Sequence, residues 1–343
     1  MCRVSKNKKG HVEKWEKDRQ AQWQPSASIA MLQRRAELLA AIRHYFHNEA
    51  VMEVETPVLS HAGNPDCYID SFVTQTIIDG RAQTLYMQTS PEFFMKRLIA
   101  AGSGSIYQIA KAFRNNEAGR LHNPEFTMLE WYRLDYDYQD LMSDVEHLLK
   151  SIGMLDADGA IPRLTYAGLF EEHIGLNPHL CTRQNLLHEL DEHDVATASA
   201  IDLSRNDCLS LLLTHVIEPA LQSQPYLYIY DYPADQAALA VTRNKGEYAV
   251  AERFELYAHG IEVANGYTEL TDSKIQAQRF DQELANRKAR DLPSIKTDEH
   301  LIAALAAGMQ ACAGVAVGLD RLLIISEAES RLSEVLAFPI DRA

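Results

Sequence analysis

A polar loop between two predicted strands carries residue types that suit phosphate binding. Residues 113–117 read Phe-Arg-Asn-Asn-Glu at the end of the first strand, and residues 122–132 lead into and form the second. The guanidinium of Arg114 can bind two oxygens of one phosphate through its planar fork. Because side chains alternate along a strand, four residues of the second strand share one face: Phe126, Met128, Glu130 and Tyr132. This face could wall a cavity, although a buried sheet with one salt bridge would show the same pattern.

Carboxylates recur at seven-residue intervals further along the chain, at Glu255, Glu262 and Glu269. This odd spacing would separate neighbours on one strand, but Gly260 offers a turn and permits a hairpin that brings Glu255 and Glu262 together. Paired carboxylates require a cation, and Mg²⁺ is commonly held by one or two carboxylates together with substrate phosphates. The pattern therefore indicates a magnesium site beside a phosphate site.

A third segment, residues 314–321, reads Gly-Val-Ala-Val-Gly-Leu-Asp-Arg. It predicts an apolar strand whose glycine lets another group approach the backbone, followed by an arginine at the start of a helix. By itself the pattern is as typical of a buried strand as of a site. Two other nucleotide-binding patterns do not occur in the sequence: the G-x-x-x-x-G-K-[ST] loop and a G-x-G-x-x-G that opens a βαβ unit.

Hydrophobic spacing and turn residues predict the elements that position these segments. A helix is expected over 29–48, and a short strand at 51–57 ends at a proline. Residues 89–92, Thr-Ser-Pro-Glu, open a helix with a hydroxyl cap, a proline in the first turn and a carboxylate at the positive helix end. Further strands are predicted at 72–78, 84–88, 105–113, 125–134, 226–232, 248–258 and 261–268, and further helices at about 272–290 and 298–308.

Residues 137–222 are expected to form a mainly helical insertion between these strands. The strands come in runs, with helices between and outside them, and regular βαβ alternation is not seen. This order predicts the α+β class, with an antiparallel or mixed β-sheet flanked by helices.

Composition and charge limit the class of protein further. The chain has 343 residues, 46% of them hydrophobic, and a net charge of −15, which fits a globular protein and disfavours broad nucleic-acid binding. The uncharged stretch 301–319 contains Gly308 as a breaker, so no membrane partner is expected. Five cysteines without a C-x-x-C pair, and a charged N-terminus, fit a reducing cytoplasm. Residues 1–24, with seven basic and three acidic groups, are expected to be a flexible basic extension of a domain at 25–343.

Taken in order, these segments resemble the three motifs of a class II aminoacyl-tRNA synthetase catalytic domain. Four sequence segments resemble those of lysyl-tRNA synthetases and, more closely, those of the elongation factor P–lysine lysyltransferase family. They are T-S-P-E, F-R-N, H-N-P-E-F-T-M-L-E-W-Y and E-x-A-N-G-Y-x-E-L. Only about 25 residues precede the first motif, so neither an anticodon-binding domain nor a tRNA partner is expected. Ala316 replaces the central glycine of the third motif, and the resemblance associates the family's similar alanine with (R)-β-lysine. One methyl group can change the preference between (R)-β-lysine and lysine by about 1–3 kcal/mol.

The resemblance implies ATP- and Mg²⁺-dependent activation of lysine or (R)-β-lysine to an acyl-adenylate, and transfer to a lysine ε-amine of elongation factor P. It implies catalytic roles for Arg114 at the α-phosphate and Arg321 over adenine and at the γ-phosphate, with Glu255 and Glu262 on magnesium. The other ATP-binding positions that it implies are Asn115, Asn116, Asn123, Phe126, Val263 and Gly318. The amino-acid pocket that it implies contains Ser90 and Glu92 at the amino group near the carboxyl end of the substrate, Tyr132 and Glu269 at its ε-ammonium, and Pro91, Asn265 and Ala316 as further substrate-binding residues.

One position departs from the family pattern, since the second motif usually reads R-N-E and Asn116 stands at the glutamate. An amide oxygen can still accept a hydrogen bond from the adenine amino group. Either Asn116 takes that role, or Glu117 moves in, or the activity is weaker. We favour the first interpretation, which predicts that Asn116→Glu leaves activation roughly unchanged or raises it.

The sequence leaves two other functions open. One is a truncated lysyl-tRNA synthetase-like enzyme with another acceptor, and the other is an inactive synthetase paralogue that serves as a binding subunit. In class II enzymes the first-motif segment, here 29–57, forms the dimer interface, so the resemblance also implies a symmetric homodimer. An ordinary core helix would show the same pattern.

Overall fold

The computed structural model describes residues 23–196 and 203–343, so nearly all of the predicted basic extension at 1–24 lies outside the described residues. Strands account for most of the centre of the fold. They are β1 (Met52–Glu53), β2 (Leu59–Ser60), β3 (Val73–Ile78), β4 (Arg81–Met87), β5 (Ile106–Phe113), β6 (Glu125–Leu134), β7 (Arg163–Thr165), β8 (Leu227–Pro233), β9 (Thr242–Lys245), β10 (Tyr248–Ala258), β11 (Ile261–Thr268) and β12 (Cys312–Gly318).

Nine of these strands form one mixed sheet in the order β1-β5-β6-β12-β11-β10-β8-β7, with β9 paired to β10. The β1–β5 and β7–β8 pairs at the two edges are parallel, and the pairs between them are antiparallel. A separate three-stranded antiparallel sheet has the order β2-β4-β3. The predicted α+β class with a mixed sheet is therefore confirmed.

Helices cover the sheet and fill the segment after β7. They are α1 (Ile29–Asn48), α2 (Glu92–Ala100), α3 (Tyr138–Ser151), α4 (Tyr166–His173), α5 (Arg183–Glu192), α6 (Arg205–Leu212), α7 (Ser273–Ala289), α8 (Glu299–Gly308), α9 (Leu319–Ser326) and α10 (Leu332–Val335). After α6 the chain continues through a π-helical turn and short helical pieces to residue 223. Within the described part of the chain, no helix combines the length and the apolar composition needed to cross a bilayer.

The β6 strand separates the core of the protein from the site. Leu129 and Trp131 are fully buried in the largest apolar cluster, together with residues of α1 and α3. Met128, Glu130 and Tyr132 point the other way and line a cavity. The two-residue alternation predicted for this strand is therefore confirmed.

Three sequence expectations differ from the structure in detail. The strand expected at 51–57 pairs only at Met52–Glu53, and after Val54, whose N–H donates to Tyr107, the chain leaves the sheet. The segment 137–222 is mainly helical as predicted, but it is not separate from the central fold, because β7 joins the edge of the sheet and α3 packs in the main core. In the Thr-Ser-Pro-Glu opening, Pro91 occupies the N-cap position and α2 begins at Glu92, so the predicted hydroxyl cap comes from one residue earlier, where Ser90 Oγ accepts from the Glu92 N–H at 3.0 Å.

Candidate active site

Two neighbouring cavities that share part of their lining open beside the central sheet, with volumes of about 570 Å³ and about 340 Å³. The larger contains most of the carboxylates, and the smaller contains the arginines of the second and third motifs. Six residues line both cavities and mark the passage between them: Ile69, Arg114, Met128, Arg253, Asn265 and Ala316. A ligand with two chemically different ends can therefore span the two cavities.

The larger cavity is an acidic pocket, to which α2, β6 and the end of β11 each contribute one carboxylate: Glu92, Glu130 and Glu269. Glu130 and Glu269 are only 2% and 3% exposed. Glu130 accepts hydrogen bonds from Ser90 Oγ at 2.7 Å and from the Tyr132 hydroxyl at 2.6 Å. This end of the cavity suits a ligand that carries ammonium groups, because a buried carboxylate needs a cationic or hydrogen-bonding partner.

Burial also changes the protonation of this pocket. It raises the pKa of Glu269 to about 8, although the ammonium of Lys96 opposes the change. Burial and the nearby Glu92 carboxylate raise the pKa of Glu130 to about 7, against the hydrogen bonds that it accepts. Such shifts concentrate at functional sites, where like charges are held together without solvent.

Gly314 in β12 forms the floor of the acidic pocket. A Cβ atom added there would lie 2.5 Å from Glu269 Oε1 and 2.6 Å from Cδ1 of Tyr132. Both distances are shorter than a non-bonded contact permits, so a side chain at this position would displace the pocket walls. The sequence prediction that a third-motif glycine allows close approach is therefore supported, and the approaching groups are Tyr132 and Glu269.

The smaller cavity holds both predicted catalytic arginines. The Arg114 guanidinium lies 5.1 Å from the ring centroid of Phe126, and its buried Nε has no hydrogen-bond partner among the described residues. The Arg321 guanidinium donates to the Glu262 carbonyl oxygen at 2.8 Å and lies 2.7 Å from Nε2 of His122. Two guanidiniums on one cavity can bind an anion such as a phosphate chain.

The predicted magnesium ligands lie on the β10–β11 hairpin. Its two turn residues, His259 and Gly260, both have positive φ, which a two-residue hairpin turn requires. Both Glu255 and Glu262 line the smaller cavity. Partial burial and the neighbouring Glu255 carboxylate raise the pKa of Glu262. The Glu262 carboxylate makes one long ion pair, 3.7 Å to Arg321, and so keeps lone pairs free for a cation.

Glu255 differs from Glu262 because four donors already surround its carboxylate. Oε1 accepts from Arg253 at 2.5 Å and Asn265 at 3.2 Å, and Oε2 accepts from Tyr232 at 2.6 Å and Tyr257 at 2.8 Å. A carboxylate has about four lone-pair directions, so Glu255 as placed has none left for a metal. The donor set therefore fits Mg²⁺ at Glu262, and Glu255 fits only if one of its donors leaves.

The second-motif loop places its two asparagines away from the cavities. Asn115 donates from its backbone and its side chain to Asp70, and Asn116, at φ 63°, lies with Nδ2 3.4 Å from the same carboxylate. Glu117 lines the smaller cavity, 3.9 Å from Arg114. This placement favours the second of the three interpretations of the loop, in which Glu117 takes the place of the missing glutamate.

The remaining predicted residues divide between the cavities. Asn123, Val263 and Gly318 line the smaller cavity, and Asn123 is tied by hydrogen bonds to Glu125 and Ile340. Pro91 lies outside the residues that line either cavity and sets the start of α2.

Some residues of the site received no role in the prediction, among them Glu130, which was named only as part of a face that could wall a cavity, and Tyr267, Lys96 and Arg253. Three of them are recognisable by spacing, because Glu130, Tyr267 and Arg253 each lie two residues before a predicted site residue on the same strand, and so share its face. Lys96 lies one helical turn after Glu92. Only its burial distinguishes it from a surface ion pair.

Comparison with known proteins agrees with this geometry. The model of the family described as tRNA synthetases class II (D, K and N) matches residues 11–342. The chain belongs to this family. The resemblance that the three motifs predicted is therefore confirmed for the chain as a whole.

Three curated relatives of this class II synthetase share the name elongation factor P–(R)-β-lysine ligase. The relative from Yersinia enterocolitica is 46% identical over 325 residues, which cover 94% of this chain and 99% of the relative. Those from Sodalis glossinidius and Yersinia pestis (strain Pestoides F) are 45% and 46% identical over the same lengths. The closer resemblance, to the lysyltransferase family, is thus also confirmed.

Proposed function

We propose that this class II synthetase is an ATP-dependent, AMP-forming ligase that activates (R)-β-lysine, or lysine, and transfers it to the ε-amine of a lysine on elongation factor P. The names of its relatives support the amino acid and the acceptor. The observation that carries the proposal is the pair of joined cavities, with guanidiniums at one end and buried carboxylates at the other.

The passage between the cavities is where the substrate carboxylate would meet the α-phosphate. Attack of a carboxylate oxygen on the α-phosphorus forms the mixed anhydride and releases pyrophosphate. The acceptor amine then attacks the activated carbonyl, loses a proton and releases AMP. Arg114 lines this passage, so its guanidinium, whose buried Nε has no hydrogen-bond partner among the described residues, would stabilise the negative charge that develops on the α-phosphate. No covalent enzyme intermediate is required.

Magnesium would bind at Glu262, which has free lone pairs facing the smaller cavity. Bound there, a divalent cation would neutralise charge on the phosphate chain. Arg321, at the same cavity, would hold the nucleotide beside it.

Ala316 supports the choice of (R)-β-lysine over lysine. It lines both cavities, so its methyl group lies where the carboxyl end of the amino acid would pass. Moving the amino group by one carbon changes the space needed at this point, and a single methyl would shift the preference by about 1–3 kcal/mol.

A symmetric homodimer is part of the proposal. The small sheet leaves apolar side chains uncovered: Ile77 is 75% exposed, Val73 58% and Leu59 45%. Exposed apolar side chains on one small sheet support a protein interface there. Gel filtration at micromolar concentration tests this, and a monomer would refute the dimer.

The function is tested by two measurements on the purified chain in the reducing buffer that suits a cytoplasmic enzyme. Pyrophosphate exchange with each lysine isomer reports adenylate formation, and intact-mass analysis of elongation factor P reports transfer. We expect exchange and a mass increase with (R)-β-lysine, and loss of both in Arg114→Ala. Charging of tRNA instead of elongation factor P would favour the truncated synthetase, and absence of any exchange would favour the inactive paralogue.

A further inference from the structure

A buried ammonium lies directly behind the wall of the acidic pocket. Lys96, on α2, is 1% exposed, and its Nζ contacts Glu92 Oε1 at 2.7 Å and Glu269 Oε2. Glu92 and Glu269 line the cavity, whereas Lys96 reaches them from behind. A fully buried lysine is costly unless it is paired, so two carboxylates at once indicate a specific electrostatic role.

The titratable groups that interact with this ammonium come from its own helix and from three strands. They are Glu92 on α2, Glu130 on β6, Tyr267 and Glu269 at the end of β11, and Cys312 on β12, while Tyr132 on β6 donates to Glu130 in the same cluster. Helix α8, which packs on the same side, contributes the apolar Leu301 and Leu305. Lys96 is thus the cation of a cluster whose other charged groups are carboxylates.

The charges of the cluster match a particular class of ligand. Glu92, Glu130 and Glu269 together carry three negative charges when ionised, and Lys96 compensates one of them. Two negative charges remain for the ligand. A lysine isomer brings two ammonium groups into the amino-acid pocket, while its carboxylate belongs at the passage to the smaller cavity.

We infer that Lys96 is a specificity-determining residue, which sets the charge of the pocket at two negative units and thereby selects amino acids with two ammonium groups. The inference rests on the proposed function and deepens it. Without Lys96 the three carboxylates repel one another more strongly, and one of them takes up a proton. That proton must be released when a diammonium ligand binds. The affinity therefore falls, and the pH midpoint of binding rises.

Calorimetry of amino-acid binding as a function of pH tests this, because it needs no catalysis. For wild-type protein we expect lysine isomers to bind with an affinity that rises with pH to a plateau, and 6-aminohexanoate and norleucine, with one ammonium each, to bind at least about tenfold more weakly. In Lys96→Met the affinity for the lysine isomer should fall about tenfold or more, and the pH midpoint should rise by about one unit or more. ATP binding should stay within about twofold, because the smaller cavity is untouched.

Lys96→Arg keeps the charge and should keep the wild-type midpoint. A wild-type midpoint in Lys96→Met would overturn the inference, since a residue that only fills space would weaken binding equally at every pH. Should Lys96→Met not fold, Lys96→Gln removes the charge but keeps a hydrogen-bond donor for the two carboxylates, so it should raise the midpoint in the same direction, and a wild-type midpoint there would overturn the inference equally. Pyrophosphate exchange by wild-type protein reports separately on the proposed function.

Discussion

The substitution Gly314→Ala tests whether the floor of the acidic pocket controls amino-acid binding. The added Cβ would lie 2.5 Å from Glu269 Oε1 and 2.6 Å from Cδ1 of Tyr132, so both pocket walls must move. Overpacking of this kind costs about 1–3 kcal/mol. If the whole cost weakens amino-acid binding, the affinity falls by about 5- to 150-fold. We therefore expect kcat/KM for the lysine isomer to fall by about fivefold or more, with the KM for ATP within about twofold.

Gly266→Ala is the matched control. Its Cβ would lie 2.7 Å from Cζ of Phe254 and 2.8 Å from Cβ of Val315, side chains that lie in the apolar core. The substitution overpacks the sheet to a similar degree, and it should lower the thermal midpoint without a selective effect on the amino acid. Pyrophosphate exchange and thermal unfolding of both variants provide the comparison. Equal losses of amino-acid kcat/KM in the two variants, or no loss in Gly314→Ala, would show that Gly314 does not form the floor of the amino-acid pocket.

Three further predictions concern charge. The raised pKa values of Glu130 and Glu269, about 7 and about 8, leave these groups protonated and uncharged at low pH, so kcat/KM for the lysine isomer should rise between about pH 6 and 9; a flat profile would contradict the acidic pocket. Arg114→Ala should lower the exchange rate by about 10²–10³ at saturating substrates, and a change confined to the KM for ATP would remove its role at the α-phosphate. Glu262→Gln should raise the magnesium concentration needed for half-maximal exchange more than Glu255→Gln does, because Glu255 is already saturated with hydrogen bonds; the reverse order would assign the cation to Glu255.

The strands and helices were largely predictable because their signals are local. Alternation in β6, the positive-φ turn at Gly260 and the helical spacing of α1 each depend on residues close together in the chain, and the structure contains all three. The short strands β7 and β9 were missed, since three or four residues show no clear period and their pairing with β8 and β10 decides their conformation.

A site residue was predictable where it belongs to a sequence motif. It was not predictable where its role depends on the hydrogen-bond partners that the fold brings to it. Arg114 and Arg321 line one cavity and Glu269 is buried in the other, as the motifs implied. Asn116 could not be placed from sequence, because its left-handed backbone and its contact with Asp70 depend on a segment far from it in the chain. Glu255 appeared equivalent to Glu262 until its four donors were seen.

Residue identity and spacing alone determined the family, the α+β class and the chemistry of the two ends of the site, because guanidiniums, carboxylates and turn glycines act through properties that each carries by itself. The tertiary structure alone decided which of those charges compensate one another. The pairing of Lys96 with Glu92 and Glu269 joins a helix to a strand far along the chain, and burial gives that pairing its strength. Electrostatic interactions depend on distance and on exclusion of water, and neither is written in a local stretch of sequence.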